Sequence, residues 1–265
     1  MLVFPQLSTG ASALYPLTKT SRQRTVVNTL GDGSTNVYAD PDAASLGWKM
    51  QATGLTAAEW GAIEALFEAT SGMWQPFTFL DPAGNLVAES ENFGAPAWTN
   101  GALLTLTTGM TDPLGTTRAT EVTNGSLGTE AIAQTLAVPG NFQYCLSVWA
   151  RTTSGSNVTL TISTTGGSAQ KTFALGTQWA QVSLAANLRQ NTDAVTFGVQ
   201  LNDGATIVIF GMQVEAQLGP SDYKLTGTTG GVYPGARFGA DTITVTAQGT
   251  DVYDAVIQIV NTENA

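Results

Sequence analysis

The chain has 265 residues, 43% of them hydrophobic and only 11% charged, with 20 acidic against 10 basic side chains and a net charge of −10. That balance excludes a protein that grips nucleic acid through its phosphates, which takes Lys and Arg, or one that docks on an anionic membrane surface. There is no histidine and one cysteine, Cys145, which removes Ser-His-Asp and Cys-His chemistry, His-containing metal sites, thiolate zinc clusters and any intrachain disulfide. Cys145 itself reads as a small apolar residue within a strand. The length allows one large or two ordinary domains. With so few charges the polar surface must be built from Thr, Ser, Asn, Gln and Gly, which suits strands and turns. No apolar run approaches the ~20 residues of a membrane span, and the start lacks the basic and apolar regions of a signal peptide, so a soluble protein made in the cytoplasm is expected.

Residues 1–24, broken by Pro5, Gly10 and Pro16, predict an extended arm of little regular structure whose Phe4, Leu7, Leu14, Tyr15 and Leu17 favour contact with a partner. Thr25–Leu30 reads as a short strand closed by the hairpin signal Gly31-Asp32-Gly33. Leu46–Ala52, with Trp48, alternates as a second strand. The clearest helix follows. Thr56 and Glu59 have the spacing of a capping box, Leu55 and Trp60 that of a hydrophobic staple, and Trp60, Ile63, Leu66 and Phe67 form one apolar stripe ended by Gly72. Trp74–Leu80 alternates again, Asp81-Pro82-Ala83-Gly84-Asn85 makes a turn, and Leu86–Glu89 reads as a strand. Trp48, Trp60 and Trp74 are expected in the core.

From about residue 90 to 226 helical signals vanish and short alternating strands follow one another, among them Phe142–Trp149, Val158–Ser163, Ala180–Leu184, Val195–Leu201 and Thr206–Glu215. The last is apolar on both faces over Ile207–Phe210, as expected of a central strand. Eight or nine such strands predict an antiparallel sandwich, the double-sheet jelly roll. After the Gly227–Gly231 linker only two strands remain, too few for a domain, so they are expected to pair with the strands of residues 25–89. The fold class is thus mainly β: a discontinuous domain of residues 1–90 and 227–265 with one packed helix, interrupted by a sandwich of residues 91–226.

The order Arg24–Gly33, Trp48, Gly54-Leu55-Thr56 with Glu59, Ile63 and Phe67, Gly72 and Phe77-Thr78-Phe79-Leu80-Asp81-Pro82 resembles the hub domain of tailed-phage distal tail and minor tail proteins. Trp98, Phe142–Ala150 and Gln178–Ser183 resemble a carbohydrate-binding-module sandwich. Its close, Gly211-Met212-Gln213-Val214-Glu215 with Tyr223 and Thr226, is similar to the ending of phage tail and fibre modules. The resemblance implies a split β-barrel with one helix, six copies forming a ring at the virion tail tip, the tail tube above it and tip or baseplate proteins below. It implies as well that DNA slides through the lumen without specific binding, and that Gly31, Asp32, Gly33, Trp48, Thr56, Glu59, Trp60, Phe67, Asp81 and Pro82 carry the hub motif.

No phosphate-binding Gly-Lys-Ser/Thr loop occurs, and a glycosidase needs two carboxylates across a cleft, which the scattered Glu89, Glu91, Glu121, Glu130 and Glu215 do not define in sequence. No catalytic residue, cofactor or metal is therefore assigned, and no enzyme is expected. The resemblance to such sandwiches implies a structural Ca²⁺ beside them, for which Glu91, Asn92 and Asp222 offer oxygen ligands. Trp149 and Trp179 lie on strands whose other face is richer in apolar residues; each either stacks on a sugar or packs in the core or at a subunit contact. The leading expectation is a structural distal tail ring protein with a module for glycan or partner binding. The alternatives are a host-glycan-binding subunit of a tail fibre and a polysaccharide hydrolase.

Overall fold

The computed structural model describes residues 1–262, with the side chains of all but residues 41 and 42. In chain order the elements are β1 (Leu17–Thr29), β2 (Thr35–Leu55), α1 (Ala57–Ala69), β3 (Phe77–Leu80), β4 (Thr99–Asn100), β5 (Leu104–Met110), β6 (Ala119–Asn124), β7 (Glu130–Leu136), β8 (Gln143–Arg151), β9 (Asn157–Thr164), β10 (Gly167–Ala174), β11 (Ala180–Asn187), β12 (Val195–Leu201), β13 (Thr206–Glu215), β14 (Val232–Phe238), β15 (Val245–Gly249) and β16 (Val252–Thr262). They divide into two compact units. One comprises residues 1–8, 13–79 and 233–265, the other residues 9–12 and 80–232; the sequence boundaries at 90/91 and 226/227 fall inside the second.

The first unit is a six-stranded sheet ordered β1-β2-β16-β14-β3, with β15 also paired to β16. The late strands do return to the early ones: Ile259 lies opposite Trp48 and Ile257 opposite Met50. On one face α1 buries Trp60, Ile63 and Leu66, and Phe67 meets Phe238 edge-on at 5.1 Å. Trp48, 2% exposed, packs between Phe79 and Tyr233, each 4.9 Å away between ring centres. The expected barrel is not there: the sheet is open. The reason is visible in β1, whose sequence LTKTSRQRTVVNT has no apolar alternation and which is exposed along nearly its whole length. A strand without an inner face cannot wrap onto β3 to close a cylinder.

Other local expectations are corrected as well. The strand expected at residues 25–30 begins at Leu17 and forms with β2 a long hairpin turning at Gly31-Asp32-Gly33, where the Asp32 carboxylate accepts from Ser34. The N-terminal arm serves its own unit: Phe4, 6% exposed, packs against Phe77 and Phe79. Trp74 is 71% exposed rather than core, because it sits in the loop after α1, outside the strand that starts at Phe77. Residues Leu86–Glu89 are not a strand, yet Leu86 and Val87 are buried in the second unit's core.

That second unit is an antiparallel sandwich of two five-stranded sheets, β10-β9-β12-β7-β4 and β11-β8-β13-β6-β5. Strands cross repeatedly from one sheet to the other, the jelly-roll pattern. Tyr144, Leu146, Val148, Leu160, Ile162, Phe197, Val199, Ile207, Ile209 and Val214 fill the space between them and are almost wholly buried. With those residues facing inward, strand alternation puts Cys145, Ser147, Trp149 and Arg151 of β8 on the opposite face.

Candidate functional site

That opposite face carries the site. Register sets Trp149 of β8 directly across from Gln181 of β11 and from Phe210 of β13. Two residues along β8, Arg151 faces Val208 of β13, and Trp179 just precedes β11. Ala119, Val208 and Phe210 with Met110, Trp149, Trp179 and Tyr223 form a small apolar cluster separate from the sandwich core. Over it opens a groove of about 460 Å³, walled by Trp149, Trp179, Phe210 and Tyr223 and by Pro113 and Leu114, with Gln181 and Asp222 as its polar lining.

Each wall is held by a definite device. Gly211 adopts φ +64° at a bulge in β13, and a Cβ there would lie 2.8 Å from the Tyr223 ring; only glycine meets both demands. Tyr223 packs 5.2 Å from Phe210, and its hydroxyl pairs with Ser90 at 2.7 Å; burial pushes the phenol well above its ordinary pKa. The segment after β13 is clamped by Glu215, whose side chain is 3% exposed. That carboxylate accepts from Lys224 Nζ at 2.6 Å, from Ser221 N and Oγ at 2.9 and 2.5 Å, and from Gln213 Nε2 at 2.9 Å. Burial alone would raise Glu215, but the hydrogen bonds from Lys224 and Ser221 and the Lys224 charge outweigh it, so its pKa is lowered.

The wall with Pro113 and Leu114 is tied by Asp112, which accepts from Leu114 N, Thr116 N and the Thr116 hydroxyl. These bonds lower its pKa against the opposing effect of burial. Arg118 lies 5.2 Å over Phe210 and pairs with Glu91 at 2.9 Å and Asp112 at 3.3 Å. Arg151 lies 4.9 Å over the Trp179 ring. Cys145, near Glu215, is buried, and burial together with that carboxylate pushes its thiol up to about 12, the behaviour of an inert packing residue.

Trp149 and Trp179, the two rings expected from sequence as stacking groups, thus line one groove, each half-buried. Phe210, Tyr223, Leu114, Gln181 and Arg151 were not foreseen. For Phe210 the signal was present in the two-sided apolar run of β13, which implies a covered outer face. The motif residues lie elsewhere and are framework: Gly31, Asp32 and Gly33 at the hairpin turn, Trp48 and Trp60 in the core, Phe67 against Phe238, and Thr56 and Glu59 in a complete capping box. Asp81 accepts from Ala83 N in the turn that includes Pro82. Glu91 pairs with Arg118, Asn92 donates to Glu89 at 3.5 Å, and Asp222 lines the groove. Among the described residues no three carboxylate or thiol groups cluster as a metal site.

No protein-family model and no curated protein matches the chain. Solved structures resemble about half of it. A tailspike protein 4 domain of bacteriophage CBA120 is 17% identical with a TM-score of 0.41, covering 52% of this chain and 22% of that domain. A xylan-binding domain of carbohydrate-binding-module family 22 is 19% identical with a TM-score of 0.39, covering 51% of this chain and 96% of that domain. A tandem of two such modules from Paenibacillus barcinonensis Xyn10C is 11% identical with a TM-score of 0.41, covering 65% of this chain and 60% of the tandem.

Proposed function

We propose that the chain is a non-catalytic glycan-binding component of a phage-like tail, its sandwich recognising carbohydrate and its open-sheet unit anchoring it in the assembly. The observation that carries the recognition half is the convergence of Trp149, Trp179, Phe210 and Tyr223 on one groove with Gln181 and Asp222. Aromatic rings take the apolar faces of pyranoses, while amide and carboxylate groups take the hydroxyls. Binding without hydrolysis fits the groove's lining: Asp222 is its single carboxylate, where glycosidic cleavage takes a pair. The test is a glycan array followed by titration calorimetry on the best ligand. Trp149→Ala and Trp179→Ala should each weaken binding at least tenfold, while circular dichroism shows both variants still folded. Full affinity in both variants would refute the assignment.

A second reading, the distal tail ring, draws on a different feature. The β1–β2 hairpin leaves Val27, Val37 and Tyr38 more than half or about half exposed, and a two-stranded ribbon is marginal alone. An exposed edge is also a template for pairing with another chain. In this reading copies pair edge to edge into a hexameric ring between tail tube and tip proteins, with DNA passing through the lumen at the virion tail tip. Native mass spectrometry distinguishes the cases: six-fold species support the ring, and a strict monomer or trimer argues for a fibre subunit.

A further inference from the structure

We infer that the groove takes a saccharide bearing a carboxylate, a uronic acid, with Arg151 as the group that reads the charge; this rests on the glycan-binding reading of the groove. Two guanidiniums stand beside it. Arg118 is committed, paired with Glu91 and Asp112. Arg151 has no carboxylate within ion-pair distance among the described residues. Its hydrogen bond is a long one, Nη2 to the Thr111 carbonyl at 3.5 Å. Its Nε is one of two buried side-chain polar atoms without a partner among the described residues.

The planar fork of a guanidinium matches a carboxylate through two parallel bonds, and with Nε buried the terminal Nη1 and Nη2 form that fork. Arg151 is moreover held in place by its seat on Trp179, so little side-chain freedom is lost when an anion arrives. It follows Trp149 by two residues on the same strand face, within one sugar unit of a ring stacked there. Asp222 is the one carboxylate of the lining. It accepts sugar hydroxyls and repels an acid group at its own end, which orients the ligand with its carboxylate toward Arg151. A neutral sugar fills the aromatic walls but leaves the fork empty.

The test uses the intact chain and short oligomers of galacturonate, mannuronate and glucuronate, each beside its methyl ester, which keeps the ring and removes the charge. Neutral xylo- and galacto-oligosaccharides and a sulfated galacto-oligosaccharide complete the set. At least one uronate should bind roughly ten- to a hundredfold tighter than its ester, the range of one charge-assisted contact, and added salt should narrow the gap. Arg151→Gln should bring the acid down to the level of the ester, while Arg151→Lys keeps part of the difference. The wild-type comparison of acid and ester stands even if a variant is unstable. Equal affinity for acid and ester, or a preference that survives Arg151→Gln, overturns the charge assignment while leaving the glycan site intact. Preference for the sulfated sugar overturns the carboxylate. Binding of none of these probes overturns both readings.

Discussion

Replacing Glu215 by glutamine probes the clamp that forms one wall of the groove. The carboxylate holds four donors, Lys224 Nζ, Ser221 N, Ser221 Oγ and Gln213 Nε2, all within 2.9 Å. A glutamine keeps one acceptor oxygen and turns an NH₂ group against the other donors, so two charge-assisted bonds are lost and the Lys224 ammonium is left without its counter-charge. Breaking a buried pair from one side costs about 3–5 kcal/mol. The Lys224 side chain is 30% exposed and recovers part of its hydration, which places the loss near the lower bound, about 3 kcal/mol. For a domain of this size that corresponds to a fall in melting temperature of roughly 6–12 °C, read by differential scanning calorimetry at pH 7. The sign with pH follows from the lowered pKa of Glu215. Its stabilisation is complete above the ordinary carboxylate value of about 4.3 and is lost as pH falls through the lower folded value. The gap between wild type and Glu215→Gln should therefore close in acid. A variant melting within about 1 °C of wild type at pH 7 would refute the clamp.

Four further outcomes are expected. Trp48→Ala empties a site between Phe79 and Tyr233 and should cost about 3–5 kcal/mol in denaturant unfolding of the open-sheet unit. Gly211→Ala combines strain at φ +64° with a Cβ 2.8 Å from the Tyr223 ring; it should destabilise by about 1–2 kcal/mol or more and weaken glycan binding by displacing that wall. Thr56→Ala should cost about 1 kcal/mol through the lost cap, measured by thermal melting. In the same cap burial raises Glu59, but hydrogen bonds from Thr56 and Ser8 outweigh it and hold the carboxylate at about 2. Its contribution is thus full above about 4.3 and disappears only as pH falls through about 2, which hydrogen exchange at Ser8 and Thr56 would follow.

What the sequence makes legible is what is local. The capping box of α1 is written within four residues and appears complete. The return of the last strands to Trp48 follows from their being too few to stand alone, and the two-sided apolar run of β13 marks a central strand. Barrel closure was not legible, because it depends on the register and inner face of β1, whose polar sequence gives no alternation to read. The exposure of Trp74 is not readable in the sequence, since apolar character alone does not tell a strand from the loop before it. In the groove, Trp149 and Trp179 could be found by alternation. Phe210 and Tyr223 reach them only through the bulge at Gly211 and the fold-back held by Glu215, contacts between residues that no local pattern links.

The most direct measurement is a high-resolution structure of the chain with its bound oligosaccharide. A pyranose ring should lie stacked on Trp149 or Trp179, with its hydroxyls on Gln181 or Asp222. A sugar bound on another surface, with this groove empty, would contradict it.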